Sequence, residues 1–540
     1  MPLMLGEVLS WLKGFMFWGV VVMWPGFLLQ RVLLKNKRAL DILVYSTGFG
    51  LASMVIMCPL LDALWEISIV SIGAACGILS GILIAVAFYH DPPVITLKVS
   101  GRVRITRVHI VILLLVCYAF LLRSSTLFDP LPRGQDAWTH LSFISYIYQY
   151  KALPEVLPWI EPAVPVTLDL YPPGVHCVGA LLSQAAGEIS FSLLKAVFIG
   201  MGTATILSVY VGVRNLFDEK TALLSASVTA VFIPHMIMTS EITAQSLAIF
   251  MVPLILYVFY MKKWVAAGIL LGAVILMHHL SAFAAVLSVG AVALTLSSKK
   301  LEYLGYALGT GGTALAVSAP WWIHVPFRMS SIDAGGSSSS YVGTGFFSPY
   351  LSVISPLTIV FCMIGVYIAL THISKKKTFI FTWALVLFIA SQPVFPIDFL
   401  PWRFPAFFIL PGSVLASLGI LSICSRIRTR WCYALLFVAL MAYPQQFWPG
   451  TDNDNLQATQ WIDDSTLDPY FYVYGRNYTY IYPLSYHRMH IITDFDAPFS
   501  FGLSPAYFYD DADWVPHTLE RFGQFDRIYS CGSIIIHRIE

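Results

Sequence analysis

Long apolar runs separated by short polar connectors dominate the chain up to about residue 448. Each run holds about twenty residues, the length that an α-helix needs to cross the hydrocarbon core of a bilayer. The pattern therefore predicts a polytopic all-α membrane protein with about fourteen transmembrane helices. The predicted spans are 9–30, 41–61, 67–89, 108–127, 190–213, 221–238, 245–261, 264–281, 282–297, 303–324, 350–371, 378–394, 404–424 and 431–448.

The charged residues in the connectors set the orientation of these helices. Lys and Arg cluster at 31–38, 98–107, 214–220, 262–263, 299–300, 375–377 and 426–430. The positive-inside rule places all of these clusters in the cytoplasm and both termini outside, with two crossings between each neighbouring pair. The extracytoplasmic face then receives the loop 128–189, the turn 239–245, the loop 325–349, the turn 396–403 and the tail 449–540.

The composition agrees with a membrane protein and removes several other classes. Of 540 residues, 57% are hydrophobic and 11% are charged, whereas soluble domains hold about 25% charged residues. A net charge of +2 gives no indication of nucleic acid binding. The eight cysteines form no CxxC pair, so neither a disulfide framework nor a zinc site is predicted. The first apolar run lacks a basic start and is too long for a signal peptide, so we expect a retained helix.

Three segments between the spans have patterns of their own. Leu141 to Tyr150 alternates apolar and polar residues at helical spacing, which predicts an interfacial amphipathic helix. Gly174 to Gly187 is apolar but too short to span, so we expect it to lie in the interface or dip into it. The loop Asp333 to Gly345 is rich in Gly and Ser, which favours a mobile segment that could close over a substrate.

The tail is predicted to be a small soluble α/β domain on the extracytoplasmic side. Asn453 to Asp464 has a helical pattern, whereas Tyr470 to Tyr474 and Ser533 to Arg538 have the patterns of strands. We therefore divide the chain into accessory transmembrane helices 1–107, a transmembrane core 108–448 that includes the external loop 128–189, and an extracytoplasmic domain 449–540.

Unusual polar residues gather at the predicted outer face. The first outer loop contains Pro-Arg-Gly-Gln-Asp136-Ala-Trp138-Thr-His140, and Tyr-Pro-Pro-Gly-Val-His176 follows in the same loop. Another acidic residue, Glu241, stands in the second outer turn. This arrangement resembles the GT-C superfamily of membrane glycosyltransferases, which use sugars linked to polyprenyl or dolichyl phosphate. The resemblance covers roughly residues 108–490.

The resemblance implies roles for several residues. Asp136 matches the family's first-loop catalytic aspartate, and Glu241 stands at its second acidic position. Arg403, in Pro-Trp-Arg-Phe, matches an Arg-Phe element near the lipid phosphate, and Gln457 to Thr466 resembles the helix that opens the external domain. The Trp-Trp-Asp signature of oligosaccharyltransferases is missing, and Glu241 stands alone where they have Asp-x-Asp. These departures argue against protein N-glycosylation, and the first three helices have no counterpart in the usual core.

The two acidic residues suit different chemical tasks. A carboxylate at Asp136 can take the proton of an acceptor hydroxyl as that oxygen attacks the sugar, although an aspartate there would also serve as a helix N-cap. Glu241 could orient Asp136, bind an acceptor hydroxyl or ligate a divalent cation, Mg²⁺ or Mn²⁺. Its alternative role is to complement the dipole of the helix that follows.

Cations and imidazoles near the outer face are candidate ligands of a lipid phosphate. The guanidinium of Arg403 suits bidentate phosphate binding, whereas snorkelling to the headgroups is its alternative role. Lys195 could meet the same phosphate, but snorkelling is the favoured interpretation for it. His140 lies one helical turn after Asp136 and His176 follows a Pro-Pro turn, so each is a candidate contact or a structural histidine.

Further aromatic candidates lie at the same face. Adjacent His278 and His279 point about 100° apart on a helix, which disfavours a shared metal and leaves His278 as a candidate substrate contact. Trp138 and Trp322 could stack on a sugar, but a membrane-interface belt is the favoured interpretation.

The residues together favour an inverting glycosyltransferase with a polyprenyl- or dolichyl-phosphate sugar as donor. Its acceptor would be a hydroxyl of a glycan, lipid or protein at the extracytoplasmic face. A transporter or flippase of a lipid-linked or small polar solute is an alternative, although no inverted repeat is visible in the sequence. A catalytically inactive GT-C-like scaffold subunit is a second alternative, because Glu241 is a single acidic residue.

Overall fold

A computed structural model describes residues 2–35, 38–90, 106–124, 127, 135–154, 160–161, 171–296, 301–323, 355–392, 403–427 and five short segments between 471 and 539. The chain divides into two compact units, one formed by residues 1–129 and 172–447 and the other by residues 130–171 and 448–540. The predicted span 431–448, the loop 333–345 and the predicted helix 453–464 lie outside the described residues.

The described part of the first unit is helical. Its N-terminal helices are α1 (Pro2–Phe17), a π-helical segment (Trp18–Met23), α2 (Trp24–Leu33), α3 (Ala39–Leu64), α4 (Ile69–His90) and α5 (Arg107–Arg123). After the first loop follow α7 (Gly174–Ala186), α8 (Phe191–Leu216), α9 (Glu219–Ala230), α10 (Ile233–Met238), α11 (Ala244–Tyr260), α12 (Trp264–Ile275), α13 (His279–Leu296), α14 (Glu302–Trp322), α15 (Pro356–Thr371), α16 (Lys375–Ala390) and α17 (Pro405–Ile427).

Six helical stretches among the described residues are long and apolar enough to cross a membrane. They are Val8–Leu33, Ala39–Leu64, Ile69–Tyr89, Phe191–Leu216, His279–Leu296 and Pro405–Ser425. Shorter apolar helices such as α11 and α15 accompany them. The polytopic helical class is therefore confirmed, while the count of fourteen helices stays a prediction.

One predicted span, 221–238, is wrong as a single helix. The chain forms α9 as far as Ala230, breaks, and begins α10 at Ile233. Pro234 stands in the first turn of α10, where its ring and missing N–H interrupt a continuous helix. The break leaves a six-residue helix between α9 and the second outer turn.

The connector before α9 is held by an N-cap. The Asp218 carboxylate accepts hydrogen bonds from the backbone N–H groups of Lys220 and Thr221 at 2.9 and 3.0 Å. Burial raises the pKa of Asp218, but the hydrogen bonds from Thr221 and Lys220 outweigh it and hold that pKa below the ordinary value. The ionised cap therefore stabilises the first turn of α9.

The short apolar segment forms helix α7, which is buried among the other helices, and its position in or near the membrane interface stays a prediction. The N–H of Gly174 donates to the carbonyl oxygen of Leu276 at 2.7 Å, and a Cβ atom on Gly174 would lie 2.5 Å from a methyl carbon of Val55. One turn further, Cys177 of α7 is a neighbour of Cys58 of α3. The small residue thus lets α7 pack closely on α3.

The N-terminal helices pack against the later helices of the same unit. A Cβ atom on Gly48 of α3 would lie 2.8 Å from a methyl carbon of Leu254 of α11. Asp41 of α3 forms an ion pair with Arg214 at the end of α8, and both side chains are largely buried. The helices that precede the usual GT-C core are therefore integrated into this unit.

The second unit combines helix α6 (Gln135–Tyr150) with a six-stranded sheet. The strands are β1 (Ile160–Glu161), β2 (Phe471–Val473), β3 (Met489–Ile492), β4 (Ala506–Asp511), β5 (Asp526–Cys531) and β6 (Ile534–Ile539), in the spatial order β1-β3-β2-β4-β6-β5. Pairs β1/β3, β3/β2 and β2/β4 are parallel, whereas β4/β6 and β6/β5 are antiparallel. The two strands predicted in the tail correspond to β2 and β6.

Strand β1 comes from the first outer loop and not from the tail. Ile160 is the register partner of Ile491, and Glu161 is the partner of Ile492. Nothing in the sequence of this loop predicts a strand at that position. The first loop and the C-terminal segment therefore share one sheet.

Candidate functional site

Helix α6 carries three of the candidate residues from the first loop. It begins at Gln135, six residues before the predicted start, so Asp136 lies in its first turn and not ahead of it as an N-cap. Asp136 and His140 are four residues apart on one continuous helix and share a face. The ring of His140 is buried and lies 5.6 Å from the ring of Tyr171. The side chains of Asp136 and Trp138 lie outside the described residues.

Glu241 stands in the turn between α10 and α11. Its backbone carbonyl accepts from the Thr243 N–H at 2.9 Å and from the Ser246 hydroxyl at 3.1 Å. The N-cap of α11 is Thr243, whose hydroxyl accepts from the Ser246 N–H. Both carboxylate oxygens of Glu241 are shielded from solvent. Thr243 caps α11, and the functional role of Glu241 stays a prediction beside its alternative of complementing the helix dipole.

A buried arginine that the sequence analysis did not single out lies beside this turn. Arg123, in the last turn of α5, is 0% exposed. Its Nε donates to the Thr239 hydroxyl at 2.9 Å, and one terminal nitrogen donates to the carbonyls of Ala119 and Ala230 at 2.9 and 3.0 Å. The other terminal nitrogen lies 3.0 Å from Nδ1 of His235. Arg123 thereby joins α5 to the end of α9, to the middle of α10 and to the residue that ends α10.

Lys195 occupies the first turns of α8, after the N-cap Ser190. It is 0% exposed, so its ammonium group is enclosed by protein. The favoured interpretation as a snorkelling lysine is therefore wrong, because a snorkelling side chain ends in the headgroup region. An enclosed ammonium at the outer end of a helix is typical of a functional or ion-paired group.

His176 and His278 lie in segments that the structure joins. His176 is buried in the first turn of α7, which the Gly174–Leu276 hydrogen bond attaches to the end of α12. Nδ1 of His278 accepts from the Ser281 N–H at 3.3 Å and lies 2.8 Å from the Ser281 hydroxyl. His278 therefore caps α13 with one ring nitrogen, so a substrate contact would have to use the other.

Arg403 stands two residues before the start of α17. Its neighbour Phe404 is buried and packs edge-on against Phe283 of α13, with ring centroids 6.3 Å apart. Nε of Arg403 is shielded from solvent. Trp322, at the end of α14, donates its indole N–H to the Leu315 carbonyl at 2.8 Å. That bond orients the indole, while stacking on a sugar stays a prediction.

An apolar cavity of about 320 Å³ opens between α15, α16, α17 and the junction of α9 with α10. The side chains that line it include Phe232, Cys362, Met363, Phe381, Phe388 and Phe408. Phe408 lies little more than one turn after Arg403, and Phe232 directly precedes α10. The cavity can therefore hold a hydrocarbon chain.

The candidates fall into both units. Asp136, Trp138 and His140 belong to the second unit, and the others belong to the first. Among the described residues, no three His, Cys, Asp or Glu side chains gather as a metal site would require. The side chain of Asp136 lies outside the described residues, so binding of a divalent cation stays a prediction from the sequence.

Two solved structures have a fold similar to that of this chain. ArnT from Cupriavidus metallidurans bound to undecaprenyl phosphate superposes with a TM-score of 0.58 at 12% identity, covering 79% of this chain and 97% of ArnT. The apo oligosaccharyltransferase from Archaeoglobus fulgidus superposes with a TM-score of 0.56 at 14% identity, covering 76% of this chain and 70% of that enzyme. The chain has a GT-C fold.

Comparison with solved structures identifies the GT-C fold, whereas comparison with known sequences does not. The sequence matches no family model and no curated protein. The apo form of ArnT gives a similar result, with a TM-score of 0.54 at 13% identity. The resemblance predicted from a few loop residues is therefore confirmed for the fold, and the chemistry rests on the residues of this chain.

Sequence reasoning missed Arg123 and His235 within this GT-C fold, although a signal for one of them was present. Arg123 is the single charged residue inside the predicted span 108–127. An ionisable side chain within a membrane helix is expected to face the protein interior and to serve a purpose there. His235 gave a weaker signal, since an isolated histidine in an apolar run is commonly structural.

Proposed function

We propose that this protein is an integral-membrane glycosyltransferase that transfers a sugar from a polyprenyl or dolichyl monophosphate to an acceptor hydroxyl. The GT-C fold carries this proposal, because one of the structures that shares it holds undecaprenyl phosphate. A lipid-linked donor also suits an apolar cavity whose lining residue Phe408 follows the half-buried Arg403 by five residues.

The reaction is a single displacement with inversion. The acceptor oxygen attacks the anomeric carbon and forms the new glycosidic bond while the bond from that carbon to the phosphate oxygen breaks. Asp136 takes the proton of the acceptor hydroxyl. The lipid phosphate leaves with the bonding electron pair, so fixed positive charge near it lowers the barrier.

Cations that are already enclosed by protein suit the leaving phosphate. Arg403 binds it through its guanidinium fork, with Lys195, His140 and His176 as further donors. In such a low-dielectric setting a charge interaction is stronger than in water. Burial of Lys195 and shielding of Arg403 support this role.

Different residues serve the acceptor and the lipid tail. Glu241 binds the acceptor hydroxyl or orients Asp136, and Trp138, His278 and Trp322 contact the sugars. The isoprenoid chain enters the apolar cavity past Phe408. Close packing of an unbranched or methyl-branched chain against phenyl rings gives contact without any polar group to desolvate.

The reaction takes place on the extracytoplasmic side. The distribution of Lys and Arg places the first loop and the tail outside. Pairing of β1 with β3 supports one side for both, because a strand of the loop and a strand of the tail share hydrogen bonds. The tail then faces the acceptor, which is a glycan, lipid or protein.

The test uses the full chain in lipid nanodiscs with a labelled polyprenyl-phosphate sugar and a panel of hydroxyl acceptors. We expect acceptor-dependent release of free polyprenyl phosphate, abolished by Asp136→Asn and retained by the matched control Asp129→Asn in the same loop. Retained transfer in Asp136→Asn would remove the base assignment. Transfer that is lost in EDTA and restored by Mg²⁺ or Mn²⁺ would add a cation at Glu241.

The alternative functions give different results in related assays. Movement of labelled donor across the bilayer of proteoliposomes without cleavage would favour a flippase. Neither cleavage nor movement with any acceptor would favour an inactive scaffold subunit.

A further inference from the structure

One guanidinium organises the chain that leads into the Glu241 turn. Arg123 contacts the last carbonyl of α9 at Ala230, the ring of His235 within α10 and the hydroxyl of Thr239 at the end of α10. Helix α10 has six residues and follows a break, so its own hydrogen bonds hold it weakly. Arg123 therefore fixes the middle and the C-terminal end of a helix that its own hydrogen bonds hold weakly.

The groups that accept hydrogen bonds from the Arg123 guanidinium carry no charge. The Thr239 hydroxyl accepts from Arg123 and donates to the His235 carbonyl at 2.6 Å, so its donor and its acceptor are both used. Nδ1 of His235 accepts from Arg123, so the ring proton resides on Nε2. Within the described part of the chain, the hydrogen-bond partners of Arg123 are neutral groups, so its charge orients them.

The network continues from Thr239 to the acidic turn. The hydroxyls of Thr243 and Ser246 both donate to the Met238 carbonyl, at 3.0 and 3.1 Å. The Ser246 hydroxyl also lies 3.1 Å from the Glu241 carbonyl, so its single proton is shared between the two carbonyl oxygens. Hydrogen bonds thus attach the backbone of Glu241 to the end of α10, and hydrogen bonds from Arg123 attach α10 to α5.

Close packing leaves the turn little room to move. A Cβ atom on Gly202 of α8 would lie 2.4 Å from Cβ of Thr239, so the two backbones approach closely there. A shift of Thr239 would therefore require α8 to move as well. Small displacements at a reacting group reduce rates strongly, which makes this fixation relevant to chemistry.

We propose that Arg123 is a positioning residue for Glu241 in the transfer reaction, and that it acts through Thr239 and α10 without touching donor or acceptor. The inference rests on the proposed function in assigning Glu241 to the acceptor. It predicts that weakening the network impairs use of the acceptor while binding of the lipid phosphate is unchanged.

The first test removes one hydrogen bond with an isosteric substitution. Thr239→Val deletes the hydroxyl and keeps the shape, whereas the matched control Thr239→Ser keeps the hydroxyl. In nanodiscs, we expect Thr239→Val to lower kcat/KM for the acceptor by about ten- to a hundredfold, with unchanged binding of polyprenyl phosphate. Thr239→Ser should behave as the wild type, and equal acceptor kinetics in both variants would overturn the inference.

A double substitution separates positioning from general damage. Thr239→Val combined with Glu241→Gln should be no worse than Glu241→Gln alone, because both changes remove the same contribution. Additive losses would overturn the inference. Arg123→Lys retains the charge but not the fork, so it should resemble Thr239→Val if it folds.

Hydrogen exchange gives a readout that needs no activity. Amides of residues 239–247 should exchange faster in Thr239→Val than in Thr239→Ser, with other helices unchanged. Equal exchange in the two variants would overturn the positioning of the turn even in a protein that proved inactive. A wild-type protein that transfers no sugar, with the exchange difference present, would instead remove the proposed function and with it the catalytic meaning of the network.

Discussion

Replacing Asp41 by asparagine removes the negative partner of the ion pair that joins α3 to α8. Arg214 would remain in place, because its guanidinium also lies 5.2 Å from the ring centre of Tyr210. The variant thus leaves an uncompensated positive charge between the N-terminal helices and the core. We expect a marked loss of stability without a change of fold.

The exposure of the two side chains sets the magnitude. The side chains of Asp41 and Arg214 are 6% and 11% exposed, so protein encloses most of the ion pair. Removing one partner of a buried pair costs about 3 to 5 kcal/mol, because the other charge is left desolvated. The pair Lys262–Glu302 serves as the control, since its side chains are 44% and 42% exposed and water screens it.

Unfolding by SDS in mixed micelles measures the free energy of unfolding of each variant. Asp41→Asn should unfold at a clearly lower SDS fraction than Glu302→Gln. Asp41→Asn combined with Arg214→Gln should lose less than the sum of the single changes, because no orphan charge remains. A curve for Asp41→Asn that coincides with that of Glu302→Gln would refute the reasoning.

Two further predictions test packing and capping. Oxidation with copper phenanthroline should join Cys58 to Cys177, because the two cysteines are neighbours where α7 packs on α3, and Cys58→Ser should prevent the bridge; two free thiols in oxidised, non-reduced protein would contradict the packing of α7 on α3. Because the folded pKa of Asp218 is lowered, its stabilisation is present above the ordinary value of 3.8 and is lost as pH falls through the folded pKa. Asp218→Asn keeps a cap that does not titrate, so its thermal stability should vary less over the acid range than that of the wild type; parallel pH profiles would argue against the cap.

Hydropathy and charge predicted the class of the protein because both effects act locally along the chain. A twenty-residue apolar run needs no tertiary information to be recognised as a membrane helix. The division of 221–238 into α9 and α10 was missed because hydropathy ignores the effect of Pro234 on the backbone. Strand β1 was missed because two residues carry no periodic pattern, and its partner Ile491 lies far away in the sequence.

The candidate site was less predictable than the fold. Residue type and loop position suggested Glu241 and Arg403, but only tertiary structure shows that their polar atoms are shielded from solvent. A lysine near a helix end can snorkel to the headgroups or bind a phosphate, and its position in the sequence does not show whether protein encloses it. Only the structure shows that Lys195 is buried. Arg123 has neutral partners on distant segments, and no local pattern marks such a network.

The helices ahead of the GT-C core affect any attempt to shorten this protein. The Ser10 hydroxyl donates to the Glu188 carboxylate at 2.7 Å, Gly48 packs against Leu254, and Asp41 holds Arg214. Trimming the chain to its part similar to known GT-C enzymes would expose these three partners to lipid or detergent. An expression plasmid for crystallisation or screening should therefore retain the N-terminal helices.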